Sequence, residues 1–417
     1  MRMPRYRVLA TLGALAVILP AGPSTGEDGA GSRWVAHAIN DRSPFEAAGP
    51  LDADGDGVLD VVCGSSWYKG PDFSQSFPTR EVAQQGTYFN CFATLPVDVN
   101  ADGRMDYVTC SYFGRDVGWV ENPGTPGAPW TYHEIDTPGP SEAAWLVDLT
   151  GDGVPEVLPN TVNVVVFYEL ENPGPEASWK KYELGTQEAG HGVGTGDVNG
   201  DGRIDLLTPK GWFEAPEEPS IASWTFHADW ETVGGEGSSD ARAGIQILAH
   251  DVDGDGLSDV IFGMGHNYGL YWIQQGQAAD GRRTWSEPKF IDDGIHQAHT
   301  LLWADLDGDG EQDELVTGTR IYGHEVEPGD TDAPIIASYA FDRDAGRWTR
   351  TLIFQGEPAS QAPPRERAGD RNALNDFPRG TVGTGLQMSA VDLDGDGDQD
   401  LLCPGKSGLY WLENPRE

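Results

Sequence analysis

The chain has 417 residues and carries 67 acidic against 27 basic side chains, a formal net charge of −40. That excess of negative charge excludes nucleic acid and anionic membrane surfaces as partners. Glycine at 55, proline at 29 and an apolar fraction of 38% fit a turn-rich all-β protein with a substantial core.

The N-terminus carries Arg2, Arg5 and Arg7 and then an apolar run over 8–21, with no acid before Glu27. This reads as a secretory leader over about residues 1–26, too short to span a bilayer, so the expected location is secreted or periplasmic without membrane insertion. The remainder, 33–417, reads as one domain, because a nine-residue phrase recurs along it and repeat architectures grow as single bodies. The phrase is Asp-x-Asp/Asn-x-Asp-Gly-x-x-acid.

In chain order its candidate ligands are Asp52, Asp54, Asp56 and Asp60; Asp98, Asn100, Asp102 and Asp106; then Asp148, Asp152 and Glu156, where Thr150 departs from the pattern. Asp197, Asn199, Asp201 and Asp205 follow, then Asp251, Asp253, Asp255 and Asp259. Asp305, Asp307, Asp309 and Asp313 come next, and Asp392, Asp394, Asp396 and Asp400 close the series. Alternate side chains of a tight loop point inward and offer the oxygens that a hard divalent cation needs, with glycine at position six for the sharp turn. The spelling predicts Ca2+ in these loops; metal-free Asx turns are the bland alternative, which seven copies of one acid spacing make a poor one.

Apolar strand-like runs flank each loop, such as LPVDVN before and DVVCG, DLLTP and DVIFG after, so each loop is a hairpin tip. A third strand carries an aromatic signature (WYKGP, WVENP, YWLENP) and a fourth usually starts with Trp (WTYHEI, WKKYEL). Four short strands per unit, repeated seven times, predict an all-β, seven-bladed β-propeller. The segment 33–39, RWVAHAI, repeats the fourth-strand pattern, and the last unit lacks a fourth strand. The N-terminal strand should therefore complete the last blade and leave no long edge exposed. Cys63, Cys91, Cys110 and Cys403 sit in apolar strand contexts. Export permits disulfides, and buried free thiols are the alternative.

With these loops and blades, the chain resembles the secreted FG-GAP/VCBS-repeat family, calcium-binding propellers related to the integrin α-subunit head. Segments such as GHGVGTGDVNGDGRIDLLTPKGWFEAP resemble, more narrowly, the propeller domain of aldos-2-ulose dehydratases. That narrower resemblance implies metal-assisted elimination of water from an oxidised sugar.

Propeller geometry then sorts the histidines. His37, His133 and His227 share the Trp-x-x-His pattern of the fourth strand, and His250 abuts Asp251; these read as structural. His191, His296 and His299 precede first strands, while His266 and His324 fall in turns between second and third strands. All five should face away from the loops, near the channel mouth. His191 and His299 each lie six residues before a loop's first Asp, where Glu46 and Glu142 stand in other blades. Such a set suits Zn2+ or a similar cation, or general acid–base work; a solvated polar funnel is the alternative.

Arg320, Tyr322, Lys210, Tyr268 and Lys406 lie near the same turns and are candidate substrate contacts. A Pro/Arg-rich insertion over about 356–380 supplies Arg379, together with Arg365, Arg367 and Arg371. The expected function is an exported calcium-binding propeller acting on carbohydrate, by elimination if it is an enzyme. The alternative is a non-catalytic module that binds a glycan or a protein.

Overall fold

The computed structural model describes residues 34–186, 189–220, 222–232, 243–323, 327–360 and 377–415. Every regular element among them is a strand, and no helix is long and apolar enough to cross a membrane. The chain is an all-β propeller. Sheet 1 contains Ala48–Leu51, Asp60–Cys63, Ser66–Lys69 and Gln75–Pro78. Sheet 2 contains Leu95–Val97, Asp106–Cys110, Val117–Glu121 and Thr131–Asp136, and sheet 3 Ser141–Val147, Glu156–Thr161, Val165–Asn172 and Ser178–Gly185. Sheet 5 is formed by Ala298–Ala304, Glu314–Thr319, Ile335–Asp342 and Arg347–Gln355.

Sheet 6 holds Ser389–Val391, Asp400–Gly405 and Gly408–Glu413, and its outer strand is Val35–Asn40 from the other end of the chain. That strand runs antiparallel to Gly408–Glu413, with His37 opposite Trp411. The closing strand expected from the sequence is therefore in place.

The expected count of seven separate blades is not what forms. Five four-stranded sheets stand alone, and the other two meanders join into one eight-stranded sheet, sheet 4. Its halves are Val193–Gly196, Asp205–Thr208, Gly211–Glu214 and Thr225–His227, then Ala243–His250, Asp259–Met264, Tyr268–Ile273 and Lys289–His296. The seam is a parallel pairing of the two first strands, Val193 opposite Gln246 and Thr195 opposite Leu248. Glycine causes it: a Cβ on Gly194 would lie 1.7 Å from the Ile247 carbonyl oxygen, so only glycine lets the strands close to hydrogen-bonding distance.

The core lies between sheets rather than inside any one of them. Second strands such as Asp60–Cys63, Asp106–Cys110 and Asp259–Met264 are buried along their whole length, whereas fourth strands such as Thr131–Asp136 are half exposed. Apolar clusters bridge sheets 1 and 2, 2 and 3, 3 and 4, the two halves of 4, 4 and 5, 5 and 6, and finally 6 and 1. At the rim, His37, His133 and His227 stack on Trp411, Trp119 and Trp212 with centroids 4.3–4.5 Å apart. Each also meets a carboxylate, Glu413, Glu121 and Glu214 respectively. These three histidines are structural, as their sequence pattern suggested.

Replacing Gly194 with alanine should push the sheet 4 seam apart and destabilise the protein by about 1–3 kcal/mol, read as a lower urea midpoint. The same change at Gly190, where a Cβ meets only the Pro209 side chain at 3.4 Å, should cost less.

Candidate metal sites and the polar cluster at the propeller axis

The repeat loops fold as their spelling requires. In loop one, Asp52 accepts backbone N–H bonds from Gly55 (2.7 Å), Asp56 (3.1 Å) and Gly57 (2.8 Å). Position six has φ of 82–95° in all seven copies, the left-handed region that glycine enters without strain. The acid at position nine does different work. It is buried, and its two oxygens clamp the loop to the third strand: Asp60 accepts from Ala53 N and Gly70 N, both at 2.8 Å. Asp106, Asp205 and Asp400 repeat this arrangement.

Loop six corrects the register. Asp313 is exposed, and the backbone N–H of Leu306 is bound instead by Glu314, one residue later, because Glu314 begins the buried strand. A longer side chain from the next position reaches the same donor.

Carboxylate oxygens of three acids approach within 4.8 Å in four loops: Asp52, Asp54 and Asp60; Asp251, Asp253 and Asp255; Asp305, Asp307 and Asp309; Asp392, Asp394 and Asp400. The other three loops have Asn100, Thr150 or Asn199 at position three and so offer one carboxylate fewer. Asp54 Oδ1 and Asp259 Oδ2 are buried with no hydrogen-bond partner among the described residues. In loop one the Lys69 ammonium contacts both Asp54 and Asp56 and so stands in for positive charge. Sequence reading did not anticipate this lysine.

Opposite the loops, turns from several sheets meet at the axis. Arg320, which follows Glu314–Thr319, is fully buried and commits its guanidinium to two carboxylates: Nε to Glu46 at 2.8 Å and Nη1 to Glu142 at 2.6 Å. It clamps sheets 1, 3 and 5 together, so the side chain read from the sequence as a candidate substrate contact is buried in ion pairs. Glu142 Oε2 lies 2.9 Å from His191 Nε2, and His191 Nε2 lies 3.3 Å from His266 Nε2. His299 completes a buried trio in which one ring nitrogen from each residue lies within 4.8 Å of the others. His299 Nδ1 faces the Gln297 carbonyl oxygen at 3.1 Å. A carbonyl only accepts, so Nδ1 carries the proton and Nε2 keeps its lone pair. His266 Nδ1 lies 3.8 Å from Glu327 Oε1. A Cβ at Gly265 would sit 3.2 Å from His299 Nε2 and 3.3 Å from His191 Cε1, so glycine leaves the space between these rings open.

Burial opposes ionisation of Glu142, but its contact with His191 and the charge of the Arg320 guanidinium outweigh it and hold the carboxyl well below the usual carboxylate range. Lys406 Nζ lies 3.7 Å from Glu46 Oε2, donates to the Tyr322 carbonyl at 2.6 Å and stands 3.7 Å above the Tyr88 ring. Arg320 and Lys406 thus face Glu46 and Glu142, and Glu327 adds a third acid beside His266. Nearby, burial pushes the Asp330 carboxyl up to about 7.

The remaining candidates are dispersed. His296 turns away from the trio: its Nε2 meets the Ala333 carbonyl at 3.2 Å and its ring lies beside Tyr268. Burial lowers its pKa. Gln297, between His296 and His299, has φ of 53°, and this turn separates the two rings. Tyr268 O–H donates to Asp332, Lys210 Nζ to the Ala189 carbonyl, and the buried Tyr322 ring packs on Phe377. Arg379 is exposed and pairs with Asp41 beside the closing strand. His324, Arg365, Arg367 and Arg371 lie outside the described residues, as does the leader over 1–26. Cys63, Cys91, Cys110 and Cys403 are free, buried thiols, and burial pushes Cys63 up to about 12.

Sequence reading missed the cavity beside this cluster. It has a volume of about 120 Å³ and is lined by Tyr88, Phe92, Tyr112, Phe113 and Glu142. The aromatic residues sit on connections with no repeat signature; the run Tyr112-Phe113 after a second strand was the available signal.

Residues 98–158 and 251–316 match the family model described as FG-GAP-like repeat, so the chain carries FG-GAP-like repeats on a β-propeller. No curated protein matches the chain. Among solved structures, an exotype rhamnogalacturonan lyase is similar at 12% identity with a TM-score of 0.44, covering 94% of this chain and 75% of its own. A lectin of Agrocybe aegerita, described by its recognition of non-reducing terminal N-acetylglucosamine, is similar at 14% identity with a TM-score of 0.41, covering 89% and 90%. At these values neither carries an argument about function, and the narrower resemblance to aldos-2-ulose dehydratases is not carried by these matches.

The position-nine carboxyls give the metal-free chain a defined pH response. Burial pushes Asp259 and Glu156 up to about 7 and Asp106, Asp205 and Asp400 up to about 6, against backbone hydrogen bonds that pull them down. A carboxyl raised above its unfolded value contributes stability that is complete below the unfolded pKa, about 4, and is lost as pH rises through the folded value. In excess chelator, the melting temperature should therefore fall by several degrees between pH 5.5 and 7.5. Asp259→Asn should flatten that slope, and a melting temperature that rises over this window would contradict the assignment.

Proposed function

We propose that this chain is an exported propeller whose repeat loops hold Ca2+ and whose axial polar cluster holds a transition-type divalent cation, Zn2+ by donor chemistry, acting on carbohydrate. The eight-stranded sheet counts in this reading as two blades joined at their first strands, giving seven around the axis. The observation that carries the proposal is the convergence of His191, His266 and His299, buried and with ring nitrogens within 4.8 Å, from segments as much as 108 positions apart.

The residues fit such an ion. Three imidazoles are the donor set that zinc-class cations take while keeping a position open for substrate. Gln297 fixes the His299 tautomer from outside, whereas Glu142 holds His191 at Nε2, the nitrogen that also faces His266, and would share an ion bound there. Arg320 and Lys406 face three acids, Glu46, Glu142 and Glu327, so the surroundings carry one negative charge in excess, which would favour a bound dication. Its chemistry when bound is polarisation of a carbonyl. The aromatic cavity beside Glu142 suits a sugar ring, whose apolar face packs on aromatic side chains while its hydroxyls reach the carboxylate. Elimination of water next to a sugar carbonyl is the reaction this set serves best.

One observation favours the alternative, a metal-dependent glycan-binding module. Glu142, the carboxylate lining the aromatic cavity, is held well below the usual carboxylate range and is a weak base for a carbon-bound proton. His296, one of the five candidate catalytic histidines, faces Ala333 instead. Turnover of keto-sugars, followed by the ultraviolet absorbance of the enone product, separates the two readings. Catalysis predicts turnover that His191→Ala/His299→Ala abolishes; the binding module predicts none in either protein.

Metal analysis of the purified protein should find one transition-type ion beyond calcium, absent from His266→Ala, with folding retained. Chelation should lower the melting temperature, because ions bound only by the folded state stabilise it by mass action. Asp392→Asn/Asp394→Asn should reproduce part of that loss, and an unchanged melting temperature in excess chelator would remove calcium from the reading.

A further inference from the structure

A second cavity, of about 250 Å³, lies between sheets 1 and 2 and shares no lining residue with the aromatic one or with the histidine trio. Arg80, Asn90, Thr109, Ser111, Asp116 and Tyr132 line it. Two stretches of chain separate the cavities. Thr109 and Ser111 line this one while Tyr112 and Phe113 line the other, and Arg80 and Asn90 line this one while Tyr88 and Phe92 line the other.

Three of the residues around this cavity carry a buried side-chain atom with no hydrogen-bond partner among the described residues: Arg80 Nε, Asn90 Oδ1 and Thr109 Oγ1. Native structures leave few such atoms, and each costs folding free energy unless something outside the chain satisfies it. Three around one space of this size is a pattern and not scatter. A water takes about 30 Å³ of liquid volume, so the cavity has room for several waters or for one small ring.

The chemistry of the unmet atoms selects the ligand. Arg80 Nε is a donor, Asn90 Oδ1 an acceptor, and the Thr109 hydroxyl both. Asp116 is already committed, because Ser111 Oγ and Tyr132 O–H both donate to it. Arg80 lies over the Tyr132 ring, 5.2 Å from its centroid, and its terminal nitrogens make long bonds to the carbonyls of Glu81 (3.4 Å) and Asn90 (3.5 Å). A carboxylate or phosphate would satisfy Arg80 but leave Asn90 Oδ1 without a donor and would meet the Asp116 charge. Hydroxyl groups donate and accept at once and satisfy all three.

We propose that this cavity is a binding site for a neutral, hydroxyl-rich ligand of monosaccharide size. The proposal is independent of the metal reading, since it uses none of the same residues. Its test uses the full chain and a panel of free probes: glucose, galactose, mannose, rhamnose, myo-inositol and, as the anionic counterpart of glucose, glucuronate. Saturation-transfer NMR and calorimetric titration should show saturable binding of at least one neutral probe.

Thr109→Val and Asn90→Leu should each weaken that binding by about 2–12-fold, the loss of one hydrogen bond, while keeping the melting temperature and the metal content of the parent. If a variant melts lower, a crystal structure of the unmodified protein with the best probe decides: sugar in this cavity supports the site, and sugar elsewhere or solvent alone overturns it. The proposal also fails if no neutral probe binds by about 50 mM, if both variants bind as the parent does, or if glucuronate binds more tightly than glucose.

Discussion

No sheet of this propeller can bury its apolar faces alone, and that constraint governs the rest of the structure. The second strand of each sheet is apolar on both sides, so it needs a neighbour before and after it. The clusters run from sheet to sheet and return from sheet 6 to sheet 1, so each layer is sealed by its neighbours. Closure depends on pairing of Val35–Asn40 with Gly408–Glu413, which joins the two ends of the chain and covers the edge of sheet 6. Hydrogen bonding removes an edge that would otherwise invite another chain.

Within that ring the acidic phrase divides its labour. The first acid shapes the loop by accepting its backbone N–H groups, and the ninth ties the loop to the third strand from a buried position. Burial raises the pKa of that ninth carboxyl, so the folded chain holds groups that ionise at a cost near neutral pH unless positive charge is close. Lys69 shows one form that charge takes, an ammonium against Asp54 and Asp56. An oxygen-ligated cation would meet the same electrostatic demand in loops that have no such lysine.

The opposite face solves a different problem, a fully buried guanidinium. Arg320 is sustainable only because Glu46 and Glu142 flank it with good geometry; removing either would leave an uncompensated buried charge. Glu142 in turn reaches His191, so the clamp that holds three sheets at the axis also orients one member of the histidine trio. Structural support and the candidate site share one set of bonds.

The sequence by itself determined what is local and periodic. Loop spelling, strand order, ring closure and the rim histidines were all legible, because hairpin tips, alternating burial and the Trp-x-x-His spacing report short-range geometry. Counting back from each loop placed Glu46, Glu142, His191 and His299 at one level, and the structure joins all but His299 through direct bonds with Arg320 or Glu142. Only the tertiary structure decided the partners. It admitted His266 and excluded His296, because a left-handed residue at Gln297 turns the chain between His296 and His299. It made Arg320 a clamp, moved the sixth loop's clamping acid to Glu314, merged two meanders at the glycine seam and opened the cavities beside Glu142 and Arg80. Those outcomes depend on distances between residues far apart in the chain, which are set only when the ring closes, and on which opposite charge lies near enough to pair.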